Sequence, residues 1–335
     1  MTTLTNEAVT PVQAAPLGRR LAGKAIELGL LPFLLVAMVV VFAAMEPRFL
    51  SSENLTNVGR QSVYLLLVTL GQMIVLLCAQ LDLSVGSTIA LTSVVTALVL
   101  SSATEPTAGT MVLAVLAGLG VGVVVGLVNG LVVAFWRVPS FMVTLGTTSL
   151  AAGAALLLSN GAPVTGVPLG FSDFLGTGSL LGLPVPLIIA LFAALVIYGV
   201  LYWTSFGRNI FAVGGNELAA TVAGIRVKAV LVAAFVLCSV LTALAGVLLT
   251  ARVASGEATL GGSFVLLSIA AAVLGGTSLF GGEGRLGLVI LGVVFIGVLN
   301  NGMNLLQISS YVQQLVLGAV LISAVALDRL RARVG

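Results

Sequence analysis

Long uncharged apolar runs recur along this chain, and its charge falls in the segments between them and in the two ends of the chain. The first run is Leu28–Met45. Others lie at about 63–80, 84–100, 110–134, 141–159, 186–203, 229–250, 263–280, 287–305 and 311–327. A helix rises about 1.5 Å per residue and a bilayer's hydrocarbon core is about 30 Å thick, so about 20 apolar residues make one crossing. The pattern predicts about ten transmembrane helices. Leu28–Met45 exceeds the roughly 7–15 residues of a signal-peptide core and reads as a retained first span. Residues 1–27 and 328–335 are then terminal tails, and 28–327 a transmembrane domain.

Composition fixes the class. Of 335 residues, 59% are hydrophobic and 7% charged, against roughly 25% charged in soluble domains. The chain reads as an all-α polytopic membrane protein. Cys78 and Cys238 each sit inside an apolar run, without CxxC spacing, so they predict two buried free thiols. The net charge of +3 is small, and its placement suggests topology rather than nucleic-acid binding.

Ten spans put both termini on one side. That side holds Arg19, Arg20, Lys24, Arg137, Arg208, Arg226, Lys228, Arg285, Arg329, Arg331 and Arg333. The other side holds Arg48, Arg60 and Arg252. Short cytoplasmic loops carry the excess of Lys and Arg, so both termini and the 206–228 loop are expected in the cytoplasm.

That loop, FGRNIFAVGGNELAATVAGIRVK, is the longest charged stretch between two apolar runs. Arg208, Glu217, Arg226 and Lys228 frame an Ala-rich helical core, and Gly207, Gly214, Gly215 and Gly224 break it. A short helix held at the membrane face by spans on both sides is a natural docking element for a soluble partner.

Other motifs are weaker. Gly118, Gly122, Gly126 and Gly130 form a ridge without side chains, which reads as a helix-packing face. Gly18–Ala25 fits GxxxxGK but lacks the following Ser or Thr, and Gly282–Gly287 fits GxGxxG without a preceding strand. Neither supports nucleotide binding. The second reads as a tight cytoplasmic turn. Asp82 interrupts apolar sequence, where a carboxylate at a span centre costs about 2.5–3.5 kcal/mol. It is either a structural cap or a functional group facing a polar interior. With Ser84, Asn129, Asn300, Asn301 and Asn304 it forms the candidate translocation pathway; the amides can equally bond helix to helix.

The two halves echo each other. Val85-Gly86-Ser87 resembles Gly261-Gly262-Ser263, and the stretch around Asn129-Gly130 resembles that around Asn301-Gly302. Five spans per half would make the second copy inverted in the membrane. No HExxH, GxSxG or metal-ligand cluster is present, and there is no histidine. An enzyme has little to work with here, and a proton relay has one candidate carboxylate.

The stretches GQMIVLLCAQLDLSVGS (71–87), VPSFMVTLGT (138–147), FGRNIFAVGGNELAATVAGI (206–225), AAAVLGGTSLFGGEGRLG (270–287) and GVLNNGMNLLQISSYVQQLVLG (297–318) carry a family resemblance. In this order, the sequence resembles the permease subunits of ribose-type sugar importers of the ATP-binding cassette class. Cys78, Ala79 and Gln80 depart from the Gly- or Thr-containing stretch more usual before Asp-Leu-Ser, which bears on the substrate rather than the class.

The resemblance implies a non-enzymatic transport subunit in a bacterial inner membrane, with no cofactor of its own. Its implied partners are a cytoplasmic ATPase that uses ATP and Mg, a periplasmic or secreted sugar-binding protein, a second permease chain and a monosaccharide substrate. It also implies that Gly207, Arg208, Gly214, Gly215, Asn216, Glu217, Ala219, Ala220 and Gly224 belong to the segment that docks the ATPase. A branched-chain amino-acid importer permease and an ion-coupled secondary carrier are the alternatives.

Overall fold

The computed structural model describes residues 31–103, 105 and 107–334, with side chains described to residue 323. The predicted N-terminal tail, the start of the first span and the GxxxxGK match at 18–25 lie outside the described residues, as do the side chains of Arg329, Arg331 and Arg333.

Five helices form the first half: α1 (Leu31–Met45), α2 (Ser52–Leu77), α3 (Val85–Ser101), α4 (Ala108–Trp136) and α5 (Ser140–Leu158). A loop with one helical turn and a small hairpin, β1 (Ser179–Leu180) and β2 (Leu183–Pro184), leads to α6 (Val185–Trp203). Two short helices follow, α7 (Ser205–Gly215) and α8 (Glu217–Val222), then α9 (Val227–Val253), α10 (Phe264–Leu274), α11 (Leu286–Leu305) and α12 (Ser310–Val334). Among the described residues, six helices, α2, α4, α5, α6, α9 and α11, are long and apolar enough to cross a membrane; α1, α3, α10 and the described part of α12 are shorter apolar helices. The chain is an all-α, multi-pass membrane protein.

Apolar runs marked the helices but not their ends. α2 begins at Ser52, well before the apolar run at 63, because the polar stretch ahead of it is capped: Ser51 accepts from the Asn54 amide, and Glu53 sits in the first turn. α4 starts from a capping box between Thr107 and Thr110. The run at 263–280 is helical only over Phe264–Leu274, since Gly275 and Gly276 end it. At about 1.5 Å per residue this 11-residue helix covers only about half of a bilayer core.

The 254–263 stretch supplies the rest of that path without helix. Gly256 pairs with Val164 and lies beside Ala97, and Gly261 lies beside Gly86 and Ile89, so this stretch of turns runs down α3. Non-helical backbone is tolerated at membrane depth only where protein or water satisfies it. Here the Glu257 amide donates to Ser93 Oγ at 3.1 Å, and Thr250 Oγ1 donates to the same oxygen at 2.8 Å.

α2 and α9 lie at the centre. α9 packs on α4, α2 and α3, while α2 also meets α10, α11 and α6. The glycine ridge of α4 makes this possible: a Cβ on Gly122 would stand 2.5 Å from Ser239 O, and one on Gly126 2.5 Å from Val236 Cα. The ridge is the helix-packing face that its spacing predicts. Cys78 and Cys238 are buried and free, as the sequence indicates. The outer faces of α4, α5 and α6 expose Leu, Val and Phe side chains such as Leu116, Leu150 and Phe192, a surface suited to lipid.

Candidate translocation and docking sites

Between α2 and α3 the chain leaves the helix for residues 78–84. Ala79 takes a left-handed turn at φ 57°, and the backbone runs on to Ser84 without helical bonds. The N-terminal half of α5 covers it: Leu81 N donates to Ser140 Oγ at 3.0 Å, Thr144 Oγ1 reaches Leu81 O at 3.4 Å, and Thr148 Oγ1 reaches Leu83 O at 3.1 Å. Ser140, Thr144 and Thr148 lie four residues apart, one above another on the helix. Sequence reasoning missed all three, because a hydroxyl in an apolar helix usually bonds its own preceding turn, as Thr144 and Thr148 also do.

Asp82 is fully buried in this break. Its Oδ1 accepts from Ser84 N at 2.8 Å and from Ser84 Oγ at 2.5 Å. Asn129 Nδ2 donates to Ser84 Oγ at 2.9 Å, and Thr147 Oγ1 donates to Asn129 Oδ1 at 2.6 Å. Every donor in the series Thr147, Asn129, Ser84 points toward the carboxyl, so α3, α4 and α5 are tied to one buried acid. Asp82, Ser84 and Asn129 therefore belong together.

The other three amides do not join them. Asn301 pairs with Asn54 across α11 and α2, each amide donating to the other at 2.9 Å, and Asn54 also donates to Phe49 O at 2.8 Å. Asn304 is exposed and accepts from Gln313 Nε2 at 2.8 Å. Asn300 is half-buried beside them on α11. Among the described residues, no hydrogen bond links this group to the Asp82 series. Asn301 thus serves as a helix-to-helix bond.

The 206–228 segment is two helices rather than one. Thr204 caps α7 by accepting from the Gly207 amide, and Asn216, in extended conformation, ends α7 and caps α8 by accepting from Ala219 N at 2.9 Å. Asn216 is thus the corner of the element, and Asn's short acceptor side chain explains why the turn falls there. Gly207 packs on α6, Ala220 is buried, and Arg208, Gly215, Glu217, Ala219 and Gly224 are exposed. Leu218 and Val222, four residues apart on α8, are 76% and 83% exposed. Apolar side chains of that size, standing out beside Glu217 on a charged segment, form a contact surface with nothing against it among the described residues.

This element sits at the end of the bundle that carries Arg137, Arg208, Arg226, Lys228 and Arg285. Lys228 Nζ lies 4.8 Å from the Phe135 ring centroid, joining the start of α9 to the end of α4. Tyr202 OH accepts from Leu286 N at 3.1 Å, joining the end of α6 to the start of α11. The GxGxxG stretch is a tight turn here, closed by Ser278 N donating to Glu283 O at 2.9 Å. At the opposite end Arg252 lies 5.4 Å from the Tyr64 ring. Among the described residues, no cluster of His, Cys, Asp and Glu could hold a metal ion.

Residues 54–325 match the family described as branched-chain amino acid transport system / permease component. The chain belongs to this permease family. It is 41% identical over 301 residues to the ribose import permease protein RbsC of Bacillus subtilis, covering 89% of this chain and 92% of that protein. It is 38% identical over 299 residues to the D-allose transport system permease protein AlsC of Escherichia coli, covering 89% and 90%. To the L-arabinose transport system permease protein AraH of Escherichia coli it is 37% identical over 300 residues, covering 88% and 89%. No solved structure matches the chain.

Proposed function

We propose that this chain is the membrane-spanning permease of an ATP-driven importer that moves a monosaccharide, a pentose or hexose, across a bacterial inner membrane. The observation that carries the importer reading is the α7–α8 element: a capped pair of short helices with Leu218, Val222 and Glu217 exposed at the basic end of the bundle. A secondary carrier has no need of such a surface, whereas a permease without its own energy source must receive motion from a bound ATPase. The choice of sugar over branched-chain amino acid rests on the relatives, whose names give ribose, D-allose and L-arabinose.

In this reading the ATPase docks on 206–228, a periplasmic or secreted binding protein delivers the sugar at the opposite face, and a second permease chain completes the path. ATP and Mg act in the ATPase. Both termini are cytoplasmic, on the side of the basic loops. ATP shifts the permease between outward- and inward-open states because the docked ATPase favours those states differently.

The six long and four shorter apolar helices, α1–α6 and α9–α12, support a plan of two inverted halves. The echoed Gly-Ser sequences precede or begin α3 and α10, and they touch: a Cβ on Gly86 would stand 2.9 Å from Gly261 O. The echoed amides, Asn129 on α4 and Asn301 on α11, are both buried and both bond to another helix. Each half has its break after its central helix, 78–84 after α2 and 254–263 after α9.

The test is uptake of radiolabelled sugars into proteoliposomes by the chain alone, and then with its ATPase and binding protein. Uptake that requires ATP and both partners is expected; uptake by the chain alone on an ion gradient would make it a carrier. Glu217→Lys and Gly215→Trp should abolish uptake and leave the protein inserted. A side chain at Gly215 enters open space, so the fold accommodates it while docking does not.

A further inference from the structure

α7 ends against the backbones of two other elements. A Cβ on Gly214 would stand 2.7 Å from Gly282 N and 2.8 Å from the Leu77 carbonyl carbon. One on Gly281 would stand 2.7 Å from Gly214 O and 2.7 Å from Ala79 Cβ, and one on Gly282 2.8 Å from Gly215 Cα. The Gly282 amide closes this junction by donating to Leu77 O at 3.0 Å. Gly281 and Gly282 hold φ at 87° and 74°, a region that glycine enters freely and other residues rarely. Three distant chain segments thus meet main chain to main chain, with no flexible side chain between them.

What lies beyond each segment gives the junction its meaning. Leu77 is the last residue of α2 and opens the break that holds Asp82. Gly281 and Gly282 lie in the turn between α10 and α11. Side chains can change rotamer to absorb a shift, but backbones in contact cannot, and such interfaces move between discrete packings.

We infer that Leu77, Gly214 and Gly282 are positioning residues for transport, which pass a displacement of α7–α8 to the 78–84 break and the 275–285 turn together. The first recipient is the hydrogen-bonded series ending on Asp82, which binds α3, α4 and α5. One docking event at the surface thereby reaches both halves of the bundle. This rests on the reading of α7–α8 as the ATPase-docking element.

Backbone hydrogen exchange, followed by mass spectrometry, tests it on the full complex in nanodiscs. The complex carries a hydrolysis-deficient ATPase partner and is compared with and without ATP. Peptides covering 206–224, 76–86 and 275–286 should change exchange rate together, by about threefold or more. A change confined to 206–224 overturns the inference and leaves the docking surface standing, the motion then being absorbed at the Asn216 corner. No change in any of the three overturns both.

A second arm compares Gly281→Ala, whose added Cβ would stand 2.7 Å from Gly214 O, with Gly120→Ala, whose added Cβ meets open space on α4. Gly281→Ala should keep the ATPase bound and lower sugar moved per ATP hydrolysed at least tenfold, with Gly120→Ala at the wild-type ratio. An unchanged ratio in Gly281→Ala overturns the inference. So does loss of the ATPase, which would place this junction in docking rather than in transmission.

Discussion

Asn54 and Asn301 face each other across α2 and α11 and exchange two amide hydrogen bonds of 2.9 Å. The pairing engages the amide nitrogen and oxygen of both side chains, and Asn54 gives its second N–H to Phe49 O at 2.8 Å. Removing one partner orphans the other, whereas removing both costs little. Asn301→Leu should therefore destabilise the folded protein by about 1 kcal/mol, near the middle of the range for polar contacts between membrane helices. The double variant Asn54→Leu/Asn301→Leu should recover part of that loss in detergent unfolding, and it should transport. A folded double variant without uptake would return Asn301 to the pathway.

A different outcome is expected at Asp82. Its Oδ1 is the acceptor on which the Ser84 amide and hydroxyl both end. Asp82→Asn retains a carbonyl oxygen for those donors; Asp82→Leu retains none and leaves two buried donors without a partner. Each orphaned group costs about 1–3 kcal/mol. Unfolding midpoints should fall in the order wild type, Asp82→Asn, Asp82→Leu. An equal loss in the two variants would show that charge, and not the hydrogen-bonded series, matters at this position.

The break that carries Asp82 depends on α5. Ser140 is the acceptor for the Leu81 amide, so Ser140→Ala leaves that amide unpaired inside the bundle. Local opening of residues 78–84 should then become easier, at a cost on the order of 1 kcal/mol in the opening equilibrium. Cys78, buried and free at the start of the break, reports it. Its labelling by a small maleimide, read by peptide mass, should rise several-fold in Ser140→Ala. An unchanged rate would mean that the break is held chiefly by Asp82 and its partners.

These sites differ in how far they could be read in advance. Helices were legible because lipid demands long uncharged runs, and Asp82 stood out as the one acid among them. The α7–α8 segment was legible from Arg208, Glu217, Arg226 and Lys228, although its corner at Asn216 needed the cap geometry. Ser140, Thr144 and Thr148 were not legible, because a hydroxyl in an apolar helix usually bonds its own preceding turn. Only the fold brings the exposed backbone of 81–83 against them. The descent of 254–263 along α3 was hidden for a related reason: Gly256, Gly261 and Gly262 look like a surface loop until Ser93 and Thr250 are seen to bond there.

Two glycines on one helix separate packing from propensity. Gly126 and Gly120 both lie in the middle of α4, and as helix residues both cost about 1 kcal/mol relative to alanine. Their surroundings differ. A Cβ on Gly126 would stand 2.5 Å from Val236 Cα and 2.8 Å from Phe235 O on the central helix α9, while one on Gly120 would meet nothing within 4 Å. Gly126→Leu must push α4 and α9 apart, and overpacking of this kind costs about 1–3 kcal/mol or more. Gly120→Leu places its side chain in open space and should leave stability unchanged or raise it slightly. Detergent unfolding of the purified variants reads this contrast directly. Similar losses in both would mean that α4 follows its glycines by propensity alone, and that the ridge is not what lets α9 approach.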